Sequence, residues 1–367
     1  MWSQEPVPRT VNQEEPLWLR NNQPHRYNLA SKVGWHDFVH SPPRASLELL
    51  TKGQIAALSD DEREDYNEAR FVWNANLPTV KTAQLTHAFA VIDQVMASNR
   101  RDGDRLRGSV VIDAPPGLGK TTIAIRYARQ FHRTAIRRLS SETAAGDQRI
   151  PVAFIPLDAG ITLKGLNRKI LAFYGHLGVA GANTSGLGAL AVDCVRSCET
   201  QIIVIDDLHF IDFRDRHGRE VSNHLKGLAN EMAVTFIYVG VRLTEKKFFD
   251  EGLGGDDGAV YAQTARRATR ARVAPFNTDS DASNVAWISL LNALELHLML
   301  AAQTPGTLSD FGKELFRRTQ GHIGSLTNLL DRAAYLAIKT GTEQITASIL
   351  EEVVVDNAAQ RLTTPKR

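Results

Sequence analysis

The sequence has few of the residues on which several common classes of protein depend. It contains two cysteines, Cys194 and Cys198, among 367 residues, which excludes a disulfide framework and a four-cysteine zinc site. Their i,i+4 spacing in a helical-looking stretch indicates reduced packing residues of a cytosolic protein. No run reaches the ~18 consecutive apolar residues that a membrane helix needs. No secretory signal is visible at the N-terminus. We therefore expect a cytoplasmic protein without membrane contacts.

Charge of one sign is also scarce, because 43 basic residues face 41 acidic ones and the net charge is only +2. A globally basic nucleic-acid binder is therefore not indicated. Hydrophobic residues make up 43% of the chain, which is ordinary for a globular protein and excludes disorder throughout. At roughly 150 residues per domain, the length allows two or three compact units.

The N-terminal fifth differs in composition from the rest, since four of the five tryptophans and seven of the 14 prolines precede residue 80. The first 45 residues are predicted to form an irregular arm, because proline disfavours helix before and at its own position. Its large aromatic residues need a surface, either on the same domain or on a partner. Regular structure is expected to begin near Ser59, which with Glu62 fits a capping box for a helix through Trp73. A second helix is predicted over 82–98.

Short apolar runs alternate with helical stretches from Ser109 onward. This alternation indicates a parallel five-stranded sheet covered by helices on both faces. The predicted strands are 110–113, 152–157, 202–206, 234–240 and 272–276.

The first strand leads directly into APPGLGKTT (114–122), a phosphate-loop pattern with Ala114 in place of the usual first glycine. Glycines allow the backbone N–H groups to point at phosphate oxygens, and the following helix adds its positive end. Lys120 can reach the β- and γ-phosphates of ATP, and the Thr121 hydroxyl can ligate Mg²⁺. The predicted nucleotide-binding residues are Pro116, Gly117, Leu118, Gly119, Lys120, Thr121 and Thr122.

The third predicted strand ends in Asp206 and Asp207, which supply the acidic half of such a site. Asp206 is predicted to hold Mg²⁺ through water, and Asp207 to orient or deprotonate the attacking water. Glu is commoner at the second position, and Asp is one methylene shorter, so hydrolysis is expected to be slow. His209 is either adjacent to the site or an ordinary loop histidine.

Arginines cluster before the last predicted strand, with no acidic residue between Gly258 and Asn277. Arg266 or Arg267 is predicted to complete the γ-phosphate site of a neighbouring subunit, where an arginine stabilises the charge that develops on the transferred group. The alternative is a basic, solvated helix. Arg126, Arg129 and Arg133 are expected to line a solvent or subunit face rather than to touch DNA.

Helices dominate after Pro275, and they are predicted over 281–302, 308–319, 323–340 and 344–357. Apolar residues of the third helix recur at i, i+3, i+4 and i+7. A phosphate-loop domain followed by a small helical lid is the AAA+ arrangement. The predicted domains are an N-terminal arm and helix (1–80), an α/β ATPase domain (81–277) and a helical lid (278–367). The stretch GHIGSL (321–326) offers no arginine for nucleotide sensing.

Together these segments resemble the TniB/TnsC family of AAA+ ATPases that regulate DNA transposition. The resemblance covers roughly residues 70–355. It is carried by APPGLGKTT (114–122), IIVIDDLHFI (202–211), HLKGLANEM (224–232), FIYVG (236–240), Gln263 with Arg266-Arg267, and GHIGSLTNLLDRAAYLAI (321–338). The sequence differs from the family at Asp207, where Glu is common, and at Val241, where a polar residue is common.

The resemblance implies an ATP-dependent, Mg²⁺-dependent regulator that assembles as a ring or filament on double-stranded DNA. It also implies contacts with a transposase and with target-selection proteins. DNA contacts in such assemblies go to the phosphate backbone. The best candidates are Thr162, Lys164 and Arg168, after the second strand. The alternative is an exposed loop with ordinary solvated lysines.

Two other functions fit the same motifs. A signalling NTPase would use ATP binding to switch an interaction platform without DNA, and is expected to carry further sensor domains after the lid. An initiator or loader ATPase of the origin-recognition branch is expected to add a DNA-reading helix-turn-helix domain there. The chain ends about 10 residues beyond the last predicted helix, which favours the transposition regulator. A helicase with two motor domains is not expected.

Overall fold

Five short strands pair into one parallel sheet in the computed structural model, which describes residues 24–102, 107–180, 183–213, 216–243, 245 and 268–354. The strands are β1 (Ser109–Asp113), β2 (Val152–Pro156), β3 (Ile202–Asp206), β4 (Thr235–Gly240) and β5 (Ala268–Arg272). Their order is β2–β3–β4–β1–β5, with β1 paired to β4 on one side and to β5 on the other. The predicted five-stranded parallel sheet is confirmed.

The fifth strand lies four residues earlier than predicted, over Ala268–Arg272 rather than 272–276. The apolar run RVAPF follows the strand instead of forming it, since Pro275 has no N–H to donate to a ladder. The strand itself reads ATRAR because it lies at a sheet edge, where Thr269 and Arg272 are exposed and Ala271 is buried. Edge strands need less apolar sequence than central ones, which explains the error.

Helices precede, connect and follow the strands. Before β1 lie α1 (Lys32–His40), α2 (Lys52–Ala57), α3 (Asp60–Asn74) and α4 (Ala83–Ser98). Between strands lie α5 (Lys120–Leu139), α6 (Leu163–Tyr174), α7 (Thr184–Ser197) and α8 (Arg216–Met232), with short 3₁₀ turns at Leu177–Ala180 and Leu208–Phe210. Helix α5 packs across β1 to β4, while α4 packs on β1 and β5 and α1 on β2.

The C-terminal region is helical, as predicted, and is here called the lid. Its helices are α9 (Asp281–Glu295), α10 (Thr307–Asp310), α11 (Gly312–Thr319), α12 (Ile323–Lys339) and α13 (Ala347–Glu352). The first and last are shorter than predicted, and the second is divided at Phe311. The lid has its own core around Trp287, Leu291 and Leu330. No described helix has both the length and the apolar character of a membrane span.

The predicted irregular arm contains a helix, α1, so regular structure begins well before Ser59. Ser31 caps it by accepting a hydrogen bond from the Gly34 N–H. The prolines at 24, 42 and 43 flank the helix and do not interrupt it, and this is why proline content alone predicted wrongly. The described part of the arm therefore packs on its own domain rather than on a partner.

Trp35 fixes α1 to the sheet. Its ring stacks on Phe154 with centroids 6.3 Å apart, and its Nε1 donates to His132 Nδ1 at 3.1 Å. Arg129 donates through Nη2 to the Ser41 carbonyl at 2.6 Å and lies over the Phe38 ring. Arg129 therefore holds the arm and does not line a solvent or subunit face as predicted, whereas Arg126 and Arg133 are exposed.

Helix α3 packs on the lid rather than on the sheet. The capping box of Ser59 and Glu62 is present, as predicted. Arg70 is fully buried and donates to both carboxylate oxygens of Glu343, at 2.6 and 3.0 Å. Trp73 Nε1 donates to the His297 carbonyl at 2.8 Å. Of the N-terminal helices, α1 and α4 thus pack on the sheet, whereas α3 packs on the lid.

Cys194 and Cys198 are free thiols that pack against the main core, in agreement with the prediction. Burial raises the pKa of the Cys198 thiol to about 11. Both thiols are therefore neutral at physiological pH, as expected for packing residues.

Candidate functional site

The loop between β1 and α5 is shaped by two glycines with positive φ, Gly117 at 73° and Gly119 at 76°. Glycine adopts this conformation without steric cost. Gly119 occupies the N-cap of α5 and has no side chain to cover the first turn. The N–H groups of that turn, with the positive end of the helix dipole, are thus available to an anion. The loop has the geometry that the sequence predicts for a phosphate site.

Lys120 begins α5 and is 8% exposed. Its Nζ donates to the Pro115 carbonyl at 2.7 Å, so the ammonium group lies over the loop. Burial lowers the pKa of Lys120, and the carboxylates of Asp113, Asp206 and Asp207 counteract this shift. A cation held at this place by the loop can move to a bound phosphate by side-chain rotation alone.

Thr121 and the end of β3 face each other. The Thr121 hydroxyl donates to Asp206 Oδ1 at 3.3 Å, and the Asp207 N–H donates to the same oxygen at 2.9 Å. Asp206 is 5% exposed, and burial raises the pKa of its carboxyl. A bound cation would remove that penalty by compensating the buried charge.

The oxygen atoms of Thr121 and Asp206 fit Mg²⁺ in both number and kind. Magnesium prefers oxygen ligands and keeps several waters, so it needs only one or two protein ligands beside a phosphate. Among the described residues, no group of three or more histidine, cysteine or acidic side chains could hold a metal ion by itself. Any divalent ion at this site would therefore take further oxygens from water or from a ligand.

A cavity of about 310 Å³, here called the loop cavity, connects these groups. Its lining includes Lys120, Thr121, Asp206, Asp207, His209 and Val241. Asp207, which lines the cavity, has a left-handed backbone (φ 58°). His209 Nδ1 lies 3.8 Å from Asp207 Oδ1, so this histidine is adjacent to the site. Val241 gives the wall an apolar side chain where the resembling family has a polar one.

A second cavity of about 250 Å³, here called the lid pocket, lies on the other side of Gly117 and Gly119. It is largely apolar. Its walls are residues 77–80 before α4, Val273 to Phe276 after β5, and Gly321 to Gly324 of the lid. The sequence alone does not predict this pocket, because its three walls are far apart along the chain.

The lid touches the loop directly. The Gly324 N–H donates to the Gly117 carbonyl at 2.8 Å, and a Cβ at Gly324 would lie 3.0 Å from that oxygen. Gly321 has φ 70°, and a Cβ there would lie 1.9 Å from the Phe276 carbonyl. The two glycines of GHIG therefore permit close contact of the lid with the loop and with the connection after β5. Their spacing was the signal that could have revealed the pocket.

The candidate DNA-binding residues lie at the start of α6, after β2. The Thr162 side chain caps this helix by accepting from the Gly165 N–H at 3.0 Å. Lys164 and Arg168 are exposed one helical turn apart, so they share a face. Lys169 pairs with Asp158 at 2.8 Å and is neutralised. The carboxyl ends of parallel strands meet at one edge of a sheet, so this helix starts on the same edge as the loop.

Arg266 and Arg267 lie outside the described residues, and their action in a neighbouring site stays a prediction. Two further arginines of the same cluster, Arg270 and Arg272, lie on β5. Neither lines the loop cavity.

Comparisons with known proteins agree with this geometry. A family model described as "AAA domain" matches residues 103–248. No curated protein matches the sequence significantly. The Aeropyrum pernix ORC1 protein, solved in complex with DNA, is similar at 14% identity over 79% of this chain and 68% of its own, with a TM-score of 0.56.

Two further solved structures are similar at the same low identity. The Aeropyrum pernix ORC2 protein, solved with ADPNP and ADP, matches at 14% identity over 80% of this chain and 72% of its own, with a TM-score of 0.54. CDC6P from Pyrobaculum aerophilum matches at 14% identity over 76% and 68%, with a TM-score of 0.51. The protein therefore has the AAA+ P-loop fold with a helical C-terminal region. The finer resemblance to TniB/TnsC is not among these matches and remains a proposal.

Proposed function

We propose that this protein is an ATP-dependent regulator of DNA transposition that assembles on duplex DNA and recruits or activates a transposase at target sites. The observation that carries the ATP-dependent part is the juxtaposition of Lys120, Thr121, Asp206 and Asp207 around the loop cavity. The transposition part rests on the resemblance of the phosphate loop, the acidic strand end and the GHIG lid stretch to the TniB/TnsC family.

The two cavities favour one orientation of ATP. The triphosphate would lie along the loop N–H groups and Lys120, and the base would enter the apolar lid pocket. Thr121 and Asp206 would hold Mg²⁺, which would neutralise part of the charge of the phosphates. Asp207 would orient the attacking water and accept its proton, and His209 Nδ1 lies 3.8 Å from that carboxylate. The side chain of Asp207 is shorter than that of Glu, so we expect slow turnover.

The DNA-binding part is supported by the exposed pair Lys164 and Arg168. Repeated by each subunit of a ring or filament, they present a row of cations to the phosphates of one duplex. Backbone contacts carry no sequence information, which suits a protein that acts at many targets. Lys164→Ala is expected to weaken binding equally for unrelated duplexes and to lower the salt slope by about 1 per subunit engaged. Lys313→Ala, an exposed lysine of the lid, is the control.

Assembly can be tested through the arginines. A Lys120→Ala copy binds ATP poorly but can donate Arg266 and Arg267, whereas an Arg266→Ala/Arg267→Ala copy binds ATP but lacks the donor. A mixture is expected to recover part of the ATPase activity. If both variants assemble and the mixture stays inactive, the arginines do not act between subunits.

A second candidate function, an initiator-type ATPase, is favoured by the likeness to ORC1, which was solved with DNA. An initiator would read a DNA sequence, whereas the proposed regulator would not. The deciding experiment is electron microscopy with several unrelated duplexes, with and without a non-hydrolysable ATP analogue. Rings or filaments that form on every duplex, and only when the analogue is present, support the regulator. Binding confined to one sequence supports the initiator, and absence of DNA binding supports a signalling NTPase.

A further inference from the structure

A groove of about 630 Å³ lies beside β5, away from the loop cavity. It is bounded by the start of α4, by the connection after β5, and by α9 of the lid. We call it the cationic groove, after the three basic residues in its lining, Lys81, His87 and Arg272. None of these residues belongs to the candidate nucleotide or DNA sites described above.

The described residues leave the charge of the groove uncompensated. Lys81, His87 and Arg272 are exposed, and no acidic residue among those described lines the groove. Within the described ranges, no carboxylate forms an ion pair with any of the three. The N-terminus of the 16-residue helix α4 opens into the same groove and adds partial positive charge. A ligand for this groove should therefore be acidic.

The wall that α9 provides is uncharged. Ala286 and Ser289 line the groove, and no charged residue occurs between Asp281 and Glu295. Pro275, Phe276 and Leu290 also line the groove, so part of its wall is apolar. The ligand should therefore join acidic groups to large apolar groups over a short length.

We propose that residues 13–19 of a second copy of this chain dock in the cationic groove. Their sequence is Gln-Glu-Glu-Pro-Leu-Trp-Leu. Two carboxylates are thus followed by one proline and then by three large apolar residues. Glu14 and Glu15 meet the basic residues, and Trp18 with its leucines covers the apolar part of the wall. The C-terminal residues 355–367 carry Arg361, Lys366 and Arg367 against Asp356 and lack this complementarity.

The position of the groove favours a second copy over the same chain. Tyr27 packs edge-on against Phe38 of α1, with centroids 5.7 Å apart, so the described chain begins beside β2. The groove lies beside β5, at the opposite edge of the sheet. Four strand spacings separate β2 from β5, so the distance between these two strands is ~19 Å in a straight line. Helices α5 and α4 lie between them. Six residues from 24 to Trp18 span at most ~21 Å when fully extended, too little to pass around both helices.

Docking of this segment on the neighbour is a head-to-tail contact, which generates rings or filaments. The inference thus deepens the proposed function and rests on its assembly. It gives each subunit a link to the next that involves neither the nucleotide nor DNA.

The test is site-specific crosslinking in the full-length chain. A benzoylphenylalanine photocrosslinker replaces Ser289, and this chain is mixed with ¹⁵N-labelled wild-type protein. The expected product joins position 289 to a ¹⁵N-labelled peptide that contains residues 13–19. The inference is overturned if the crosslink to the unlabelled segment 13–19 is in excess over the crosslink to the labelled one. It is also overturned if position 289 links to another segment, or if no product forms. The same crosslinker at Lys313, an exposed lid position outside the groove, is the control.

Charge exchange tests the chemistry. Glu14→Lys with Glu15→Lys, and separately Lys81→Glu with Arg272→Glu, are each expected to reduce the crosslink by about 10-fold, because like charges then face each other. A mixture of the two variants should restore it. Failure of restoration, with both variants folded by circular dichroism, overturns the inference. Electron microscopy of the same samples separates the two proposals: filaments on DNA without the crosslink reject the docking alone, whereas the crosslink without DNA assembly rejects the function alone.

Discussion

The loop cavity and the lid pocket share Gly117 and Gly119 but draw on different parts of the chain. The loop cavity is built from three short segments, each at the end of a buried strand. The lid pocket is built from the linker before α4, the connection after β5 and the start of α12. The first is polar and rigidly placed by the sheet. The second is apolar and depends on how the lid packs.

This difference predicts that variants of the two regions separate two properties of a nucleotide. The loop cavity should determine affinity for the triphosphate and its turnover. The lid pocket should determine how much the base adds. Inorganic tripolyphosphate, which has no base, is the ligand that distinguishes them.

The largest effect is expected for Asp207→Asn. The substitution keeps the size of the side chain but removes the negative charge that activates water, and a general base typically contributes 10²-fold or more to turnover. We expect kcat to fall by about 100-fold or more with little change in ATP affinity. Phosphate release under saturating ATP measures it. Asp193→Asn, an exposed carboxylate on α7, is the control, and normal turnover of the Asp207 variant would place the catalytic acid elsewhere.

Lys120→Ala is expected to weaken both ligands. Hydrogen bonds to charged groups contribute about 1.5–3 kcal/mol each, so loss of this cation should raise the Kd by about 100-fold. Because Lys120 lies in the loop cavity, the loss should be the same for ATP and tripolyphosphate. Calorimetric titration with both ligands is the measurement, with Arg126→Ala on the exposed face of α5 as the control. Unchanged affinity would contradict the assignment of the loop.

The two regions also differ in how far the sequence predicts them. The sheet and the loop cavity follow from local patterns, since only a short loop separates the end of β1 from Lys120, and Asp206 is the last residue of β3. The lid pocket joins Leu77, Val273 and Gly324, whose proximity depends on packing between elements far apart in the chain. The same limit explains α1, where Trp35 finds Phe154 and His132 only in the folded state. The position of β5 was missed because an edge strand carries a weak apolar pattern.

Gly324→Val should affect one ligand and spare the other. A side chain there must displace the Gly117 carbonyl, from which even a Cβ would lie only 3.0 Å. Overpacking of this kind costs about 1–3 kcal/mol, so the lid should move away from the loop. We expect ATP affinity to fall by about 10-fold and tripolyphosphate affinity to stay within about two-fold. Ser325→Val, one residue further along α12, is the control. Equal losses for the two ligands would show that the lid also shapes the loop cavity.

The smallest effect on nucleotide binding is expected for Arg70→Ala, which acts on the lid pocket from a distance. Arg70 fixes α3 to Glu343, and residues 77–80, which follow α3, form one wall of the pocket. Removal of one partner leaves the other charge buried, which typically costs about 3–5 kcal/mol of stability. Glu343 still accepts the Ala301 N–H at 3.0 Å, so the lid keeps part of the network. The wall should then be less firmly placed.

For this variant we expect a clear fall in the melting temperature of the protein but only about a three-fold loss of ATP affinity, corresponding to about 0.7 kcal/mol of coupling. Tripolyphosphate affinity should not change, because Arg70 touches neither the loop nor β3. Calorimetry below the unfolding transition measures both ligands, and Arg63→Ala, on a more exposed part of α3, is the control. If tripolyphosphate binding weakens as much as ATP binding, α3 supports the whole site, and the separation between loop cavity and lid pocket does not hold.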